Sequence, residues 1–499
     1  MKWLNFLHFY QPADQQFDVL EAVVKQSYLP VFKQVNELTD ARFTANISGS
    51  LLELFDKYNY HELLELIKKV YHAGKMELTG SCKYHALAPL IPAAELQRQI
   101  ELNNETLRKY IDPNIKPLGF FPPEMAYDAA SNKLLKDMGF KWIIVDEIAY
   151  AGGKSLPDTS KIYETSDGSL RVFFRDRRVS NLIMAAVART QATLNDALKT
   201  ELATNSYLVT GMDGETFGHH RPGLEDILYK IIRKDIYNSE CISAFLATDA
   251  RQLPTDRVDL TSSTWASSAQ DIEKGIQFAS WKDPENIIHT NQWELLNLVL
   301  EQVTKLKNTC PKYEEIRHKM DIALASDHFW WACAKPWWSV EMVEDGAFKL
   351  LTILRGLPNI DKTLLDKARS CYETIVSTAF DWQRTGKIRE MNWHRHEVQR
   401  VPFKERTLEK GGNEAAVYHA FIDMLKTQER LAVKSREYEK AVLWRDALYK
   451  IDHKLDIFEA VNAIDLLRLE IGNGEVEKML DKYTEKFRKI RGGQPEQRD

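Results

Sequence analysis

Gly119-Phe120-Phe121-Pro122-Pro123-Glu124-Met125-Ala126-Tyr127 and Thr210-Gly211-Met212-Asp213-Gly214-Glu215-Thr216-Phe217-Gly218 each carry an apolar, strand-like run into an abrupt break. The break is made by Pro or Gly, and an acid stands at it. A core has no use for a carboxylate there, because burying one unpaired is costly. Working outward, short apolar runs of strand length recur at 3–8, 42–47, 75–80, 117–121, 142–145, 170–175, 207–211 and 258–262. Most are separated by segments with apolar residues at three- and four-residue spacing, such as Leu51-Leu52-Leu54-Phe55 and Leu224-Ile227-Leu228-Ile231. Repeated strand–helix units of this kind predict a parallel sheet, and seven or eight of them a barrel. His8, Glu124, Asp146, Asp176 and Asp213 then fall just past strand ends, on one shared face.

From about residue 290 the strand signal stops. Amphipathic helices are predicted at 293–307, 340–354, 364–382, 415–425, 437–451 and 457–469, interrupted by an irregular, basic stretch at 386–412 with Trp393, His394 and His396. The expected organisation is an α/β barrel domain over 1–289, a helical domain over 290–491 that adds to the same cleft, and a disordered tail over 492–499.

Composition narrows the class. In 499 residues, 44% are apolar and 28% charged, as in a globular protein, and the length calls for more than one core. A net charge of −5 argues against a nucleic-acid surface. No stretch reaches the ~20 apolar residues that span a bilayer. The N-terminal run is only a strand long and meets His8 and Gln11-Pro12 without a small-residue cleavage site, so no signal peptide is expected. Five scattered cysteines without ligand spacing read as reduced thiols in a cytoplasmic protein. Aromatic residues are abundant, with 12 Trp, and those beside polar groups in 327–338 are harder to assign to a core than the rest.

Five segments, taken in order, resemble glycoside hydrolase family 57. They are His8-Phe9-Tyr10-Gln11-Pro12, Gly74-Lys75-Met76-Glu77-Leu78-Thr79-Gly80, Phe120-Phe121-Pro122-Pro123-Glu124-Met125-Ala126, Met212-Asp213-Gly214-Glu215-Thr216-Phe217-Gly218 and Ser326-Asp327-His328-Phe329-Trp330-Trp331. The first departs from the simpler His-Gln-Pro pattern by inserting Phe9 and Tyr10. The resemblance implies an incomplete (β/α)7 barrel and a retaining double displacement on α-1,4-glucans or maltooligosaccharides, without metal or cofactor. It implies Glu124 as nucleophile and Asp213 as general acid/base, and such a pair needs pKa values pushed apart. It also implies substrate contacts at His8 and Asp327.

Other residues admit two readings. Glu77 contacts sugar or is a buried acid that orients others. His219, beside His220, lines the cleft rather than binding metal, since adjacent histidines point apart. Trp330 and Trp331 stack on sugar or belong to a core, and Trp265 and Trp281 are weaker stacking candidates. Gly214 is expected to let the sugar approach, and Glu215 to bond loop amides. The segment Arg175-Asp176-Arg177-Arg178 brings a guanidinium to the acids or forms a surface pair. The helix at 437–451 packs within its domain or docks a partner helix.

Hydrolysis of α-amylase type is favoured over 4-α-glucanotransferase or branching activity, because no long insertion supplies a lid. Two further classes stay open: a metal-dependent deacetylase-like hydrolase, which lacks a second histidine near His8, and a non-catalytic glucan-binding relative.

Overall fold

Among the described residues nine strands form: β1 Lys2–Phe9, β2 Phe43–Ile47, β3 Met76–Leu78, β4 Gly119–Phe120, β5 Trp142–Asp146, β6 Ile162–Thr165, β7 Arg171–Arg175, β8 Tyr207–Asp213 and β9 Thr255–Val258. They are seen in a computed structural model that describes residues 1–204, 206–335, 337–396, 403–408, 415–454, 463, 466–467 and 470–490. The order β3-β2-β1-β8 makes one sheet and β4-β5-β7-β6-β9 the other. A parallel bridge between Gly80 and Phe120 joins them, so seven parallel strands succeed one another as β8-β1-β2-β3-β4-β5-β7. At the outer ends of that row, the Asp176 N–H donates to Val209 O at 2.8 Å and Arg175 Nε to Gly211 O at 2.7 Å.

Period-two alternation explains why these segments fold as they do. Along β1, Leu4 and Phe6 join an inner cluster with Phe121, Ile144, Phe173 and Val209. Trp3, Leu7 and Phe9 face the other way, into a cluster with the flanking helices. The outward residues of β5 and β7, such as Ile143, Val145, Val172 and Phe174, pack in a third cluster with helices Ile287–Lys305, Val340–Arg355 and Lys362–Thr385. The first half of the helical region thus shares its core with the strands, and a boundary at 289 falls inside a helix. Buried Arg317, paired with Asp321 and Glu95, ties helix Tyr313–Ala323 to helix Ala93–Tyr110.

Several expectations need correction. β9 lies at 255–258 instead of 258–262 and is mostly exposed; its main chain pairs with β6, a strand the apolar pattern did not reveal. The stretch after Gly386 is not irregular throughout, because Lys387–His396 and Phe403–Thr407 are helices. The side chains of Trp393, His394 and His396, most of 457–469 and the tail at 492–499 lie outside the described residues. Helix Tyr438–Asp452 buries Ala441, Trp444 and Ile451 in a separate helical cluster and leaves Val442, Leu443 and Tyr449 exposed. Among the described residues, no helix is long and apolar enough to cross a membrane.

Arg175 is the residue on which the β7–β8 edge depends. Its guanidinium, 4% exposed, bonds Asp146, which is fully buried, as well as Gly211 O. Arg175→Met is expected to destabilise the protein by about 3 kcal/mol, because it strands a buried charge. Chemical denaturation checks this; a change below about 0.5 kcal/mol would show that Arg177, the other partner of Asp146, suffices alone.

Candidate active site

One step beyond Phe6, the inward row turns polar. His8 follows Phe6 by two residues, about 6.6 Å along the strand. It sits beside Asn46 of β2 and Asp213 of β8 in register. A floor of apolar rings therefore carries a layer of polar groups at the carboxyl ends of the strands.

Glu124 reaches this layer from the turn after β4. The Met125 N–H donates to Pro122 O at 2.8 Å, and Glu124 and Met125 both take left-handed backbone angles, φ +62° and +48°. Such angles cost of order 1–3 kcal/mol each in a residue with a side chain and persist only where the surroundings impose them. Here the Trp265 N–H donates to Glu124 O at 3.1 Å, and Tyr127 is bridged to Ser263. Trp265 also donates its indole N–H to Glu124 Oε2 at 2.7 Å. His85 Nε2 lies 3.6 Å from Glu124 Oε1 and 3.1 Å from His8 Nε2. The Glu124 side chain keeps 18% exposure, so a ligand can reach it.

Electrostatics couple the two acids. Burial first, and then the Asp213 charge, push Glu124 up to about 8, while the Trp265 donor pulls it down. Burial and Glu215 push Asp213 up to about 6, opposed by His220 and Arg175. The values are split, as a catalytic pair needs, but the proton of the pair rests on Glu124. A nucleophile needs the opposite order. Burial also raises Asp327 to about 6, against the bond it accepts from Tyr10 OH at 2.6 Å. Tyr10 in turn stacks on His85 with ring centroids 4.0 Å apart.

The other candidates separate clearly. His8, Trp265 and Asp327 gather around Glu124 and Asp213, and Trp265 proves to be a direct partner of Glu124. Glu77 does not join them: it sits at the level of Phe6, where Ser243 N and Thr44 Oγ1 donate to it at 3.0 and 3.1 Å. His219 bonds Gln26 at 2.7 Å, whereas His220 pairs with Glu215. Glu215 accepts from the Gln11 and Tyr28 side chains rather than from loop amides. Asp146 is held by Arg175 and Arg177, and Asp176 caps helix Arg177–Met184 through the Val179 N–H. Gly214 is explained by packing, since a Cβ there would lie 2.3 Å from the Phe9 ring. Trp330 leans on buried Trp281 at 4.8 Å; exposed Trp337 stacks over it at 5.8 Å, with Trp331 edge-on to Trp337.

His85, Tyr10 and Asn46 were missed as site residues. His85 lies in the loop after β3, so the rule that chemistry collects past strand ends would have found it. Among the described residues, no group of three His, Cys, Asp or Glu stands close enough to hold a metal ion.

Parallel strands with flanking helices, and a half-buried acid pair at their carboxyl ends, place the molecule among the (β/α) barrel-type proteins. The chain matches the model of glycosyl hydrolase family 57 over residues 4–230. It is 24% identical over 237 residues to an alpha-amylase of Pyrococcus horikoshii, a match covering 46% of this chain and 36% of that protein. It is 25% identical over 236 residues to a 4-alpha-glucanotransferase of Thermococcus litoralis, covering 46% and 35%. The matches thus span about a third of the length of these curated relatives. The fold resembles a GH57 branching enzyme from Thermococcus kodakaraensis, with TM-score 0.56 and 12% identity over 75% of this chain and 94% of that one.

Proposed function

We propose that the protein is a retaining enzyme that cleaves or transfers α-1,4-glucosidic bonds of glucans, with Glu124 as nucleophile and Asp213 as general acid/base. The observation that carries this reading is Glu124 itself: a carboxylate held on strained backbone, given an indole donor, and coupled to a second half-buried acid. No packing requirement accounts for that expenditure of strain. Attack builds positive charge at the anomeric carbon. A cation beside Glu124 favours its ionised form, which moves the proton of the pair toward Asp213, where the departing oxygen needs it. In this reading His8, at the end of β1 above the apolar floor, meets a sugar hydroxyl. Amylase, glucanotransferase and branching-enzyme activities are those for which the relatives are named, and one catalytic pair would serve all three with different acceptors. Hydrolysis of α-amylase type remains the favoured outcome.

Product analysis on a maltooligosaccharide series tests the proposal. Shorter products alone indicate hydrolysis, and products longer than the substrate indicate transfer. Absence of turnover on every α-glucan refutes it. A cytoplasmic setting belongs to the same proposal, supported by cysteines that form no disulfide among the described residues.

The tryptophan shelf supports a groove for longer chains. Trp337, 45% exposed, offers an open ring face backed by Trp330. Trp337→Ala is expected to leave the melting temperature nearly unchanged while weakening long oligosaccharides by about tenfold more than short ones. That is the order of one stacking contact of 0.5–1.5 kcal/mol. Trp330→Ala, by contrast, should cost about 3–5 kcal/mol of stability. Uniform affinity across chain lengths in Trp337→Ala would remove Trp337 from the groove.

A further inference from the structure

Among the described residues, His85 is the imidazole that lies against both Glu124 and His8. Asn46 Oδ1 faces His8 Nδ1 at 2.9 Å, so His8 carries its proton on Nδ1 and offers a bare Nε2. His85 must then donate from Nε2 across the 3.1 Å contact to His8, and its Nδ1 accepts from Ser326 Oγ at 3.1 Å. The same N–H lies 3.6 Å from Glu124 Oε1. It is a single donor between two acceptors. Burial keeps both rings neutral, holding His8 near about 4 and His85 well below its ordinary value. The His85 backbone is itself left-handed, φ +58°, and Tyr10, anchored by Asp327, stacks on its ring.

We propose that His85 is a positioning residue whose Nε2–H alternates between His8 and Glu124, turning to the carboxylate when it ionises. Glu124 then holds two donors, the indole of Trp265 and the imidazole of His85. A sugar hydroxyl donated to His8 Nε2 would take over the bond that His85 leaves, so glucan binding and readiness of the nucleophile become linked. The inference rests on the reading of Glu124 as nucleophile.

The charged and titratable groups facing Glu124 are Asp213 from β8, Asp327 from the helical region, Tyr10 and His8 from β1 and the loop after it, and His85; Arg175 of β7 lies against Trp265.

The test is direct titration of the Glu124 carboxyl by ¹³C resonance in the full chain, assigned by its loss in Glu124→Gln. His85→Phe keeps a ring against Tyr10 but has no donor. His85→Gln can donate to Glu124 and accept from Ser326. Glu124 is expected to titrate higher by about one unit in His85→Phe, because a lost bond to the charged form raises a carboxyl, and to return toward the unmodified value in His85→Gln. Equal titration in all three overturns the proposal. ¹⁵N spectra of the unmodified protein give a second check: His85 protonated on Nε2 supports it, and the reverse tautomer overturns it. The acid limb of the kcat profile should follow the same order. These resonances are read without substrate, so absence of glucan turnover would fell the functional reading while the titration still decides the role of His85.

Discussion

Glu124→Gln is expected to lower α-glucan turnover by about 10³-fold or more, the scale seen when a nucleophile is removed, and to make the protein more heat-stable at neutral and alkaline pH. The second effect follows from the raised carboxyl. Burial pushes Glu124 up to about 8 in the folded chain, against an ordinary value of 4.5. Between those values the folded state holds a proton that the unfolded chain has released. Stability therefore falls as pH rises through that window and is lowest above about 8. A neutral amide escapes this penalty while its Oε1 still accepts from Trp265, so Gln should gain about 4 kcal/mol at pH 8 and nothing below pH 4. Asp213→Asn should behave alike over the narrower window from 3.8 to about 6. Turnover and melting temperature, both measured against pH, decide the matter. Near-normal turnover in both variants would remove the pair from catalysis, and a pH-independent gain in stability would mean that neither acid is raised by burial.

Trp265→Phe should cost about 10²-fold in kcat with a smaller change in KM. The indole N–H is a preorganised donor to a carboxylate whose charge matters most during attack, and loss of one such donor in a water-poor site is worth roughly 2.7–4 kcal/mol. Phenylalanine preserves most of the contact with the ring of Phe121, whose centroid lies 6.2 Å from that of the indole. The packing loss should therefore be slight, which separates this variant from a folding defect. The acid limb of the pH profile should also move upward, because the donor now lowers Glu124. If KM rises while kcat holds, Trp265 binds sugar and does not serve the nucleophile.

How much of this was legible beforehand differs by element. β1, β5 and β8 were found almost to the residue, since alternating apolar side chains packed on both faces leave a clear period-two record. β6 and β9 left none: β9 begins Thr-Asp-Arg, exposed, and is a strand because its main chain pairs with β6. Glu124 and Asp213 could be picked out because an acid at the end of an apolar run conflicts with burial, whatever the fold. Glu77 stands in a comparable run, yet it lies at the level of Phe6 and meets Ser243, which no local pattern reports. Its distance from the pair is a matter of register.

The roles of glycines divide the same way. Gly214 invites an argument from a sugar's approach, but the Phe9 ring already fills the space beside it. That contact joins residues distant in the chain, brought together by pairing of β1 with β8. His85 and Trp265 were overlooked or undervalued for a like reason. Neither stands at a marked break in the sequence, and each acquires meaning only from the single oxygen of Glu124 it faces.

By itself, then, the amino-acid sequence determined the order of most strands and helices, the face on which strand ends collect, and the two acids whose position no core can explain. These follow from local periodicity and from the cost of burying charge, which act along the chain. Only the tertiary structure decided which donors hold Glu124, which acids are spent on Ser243, Arg175 and helix caps, and which carboxyl of the pair keeps the proton. Those outcomes depend on distances between segments far apart in the chain and on the burial that assembly creates, because hydrogen bonds and pKa shifts belong to the neighbours a group meets in the fold.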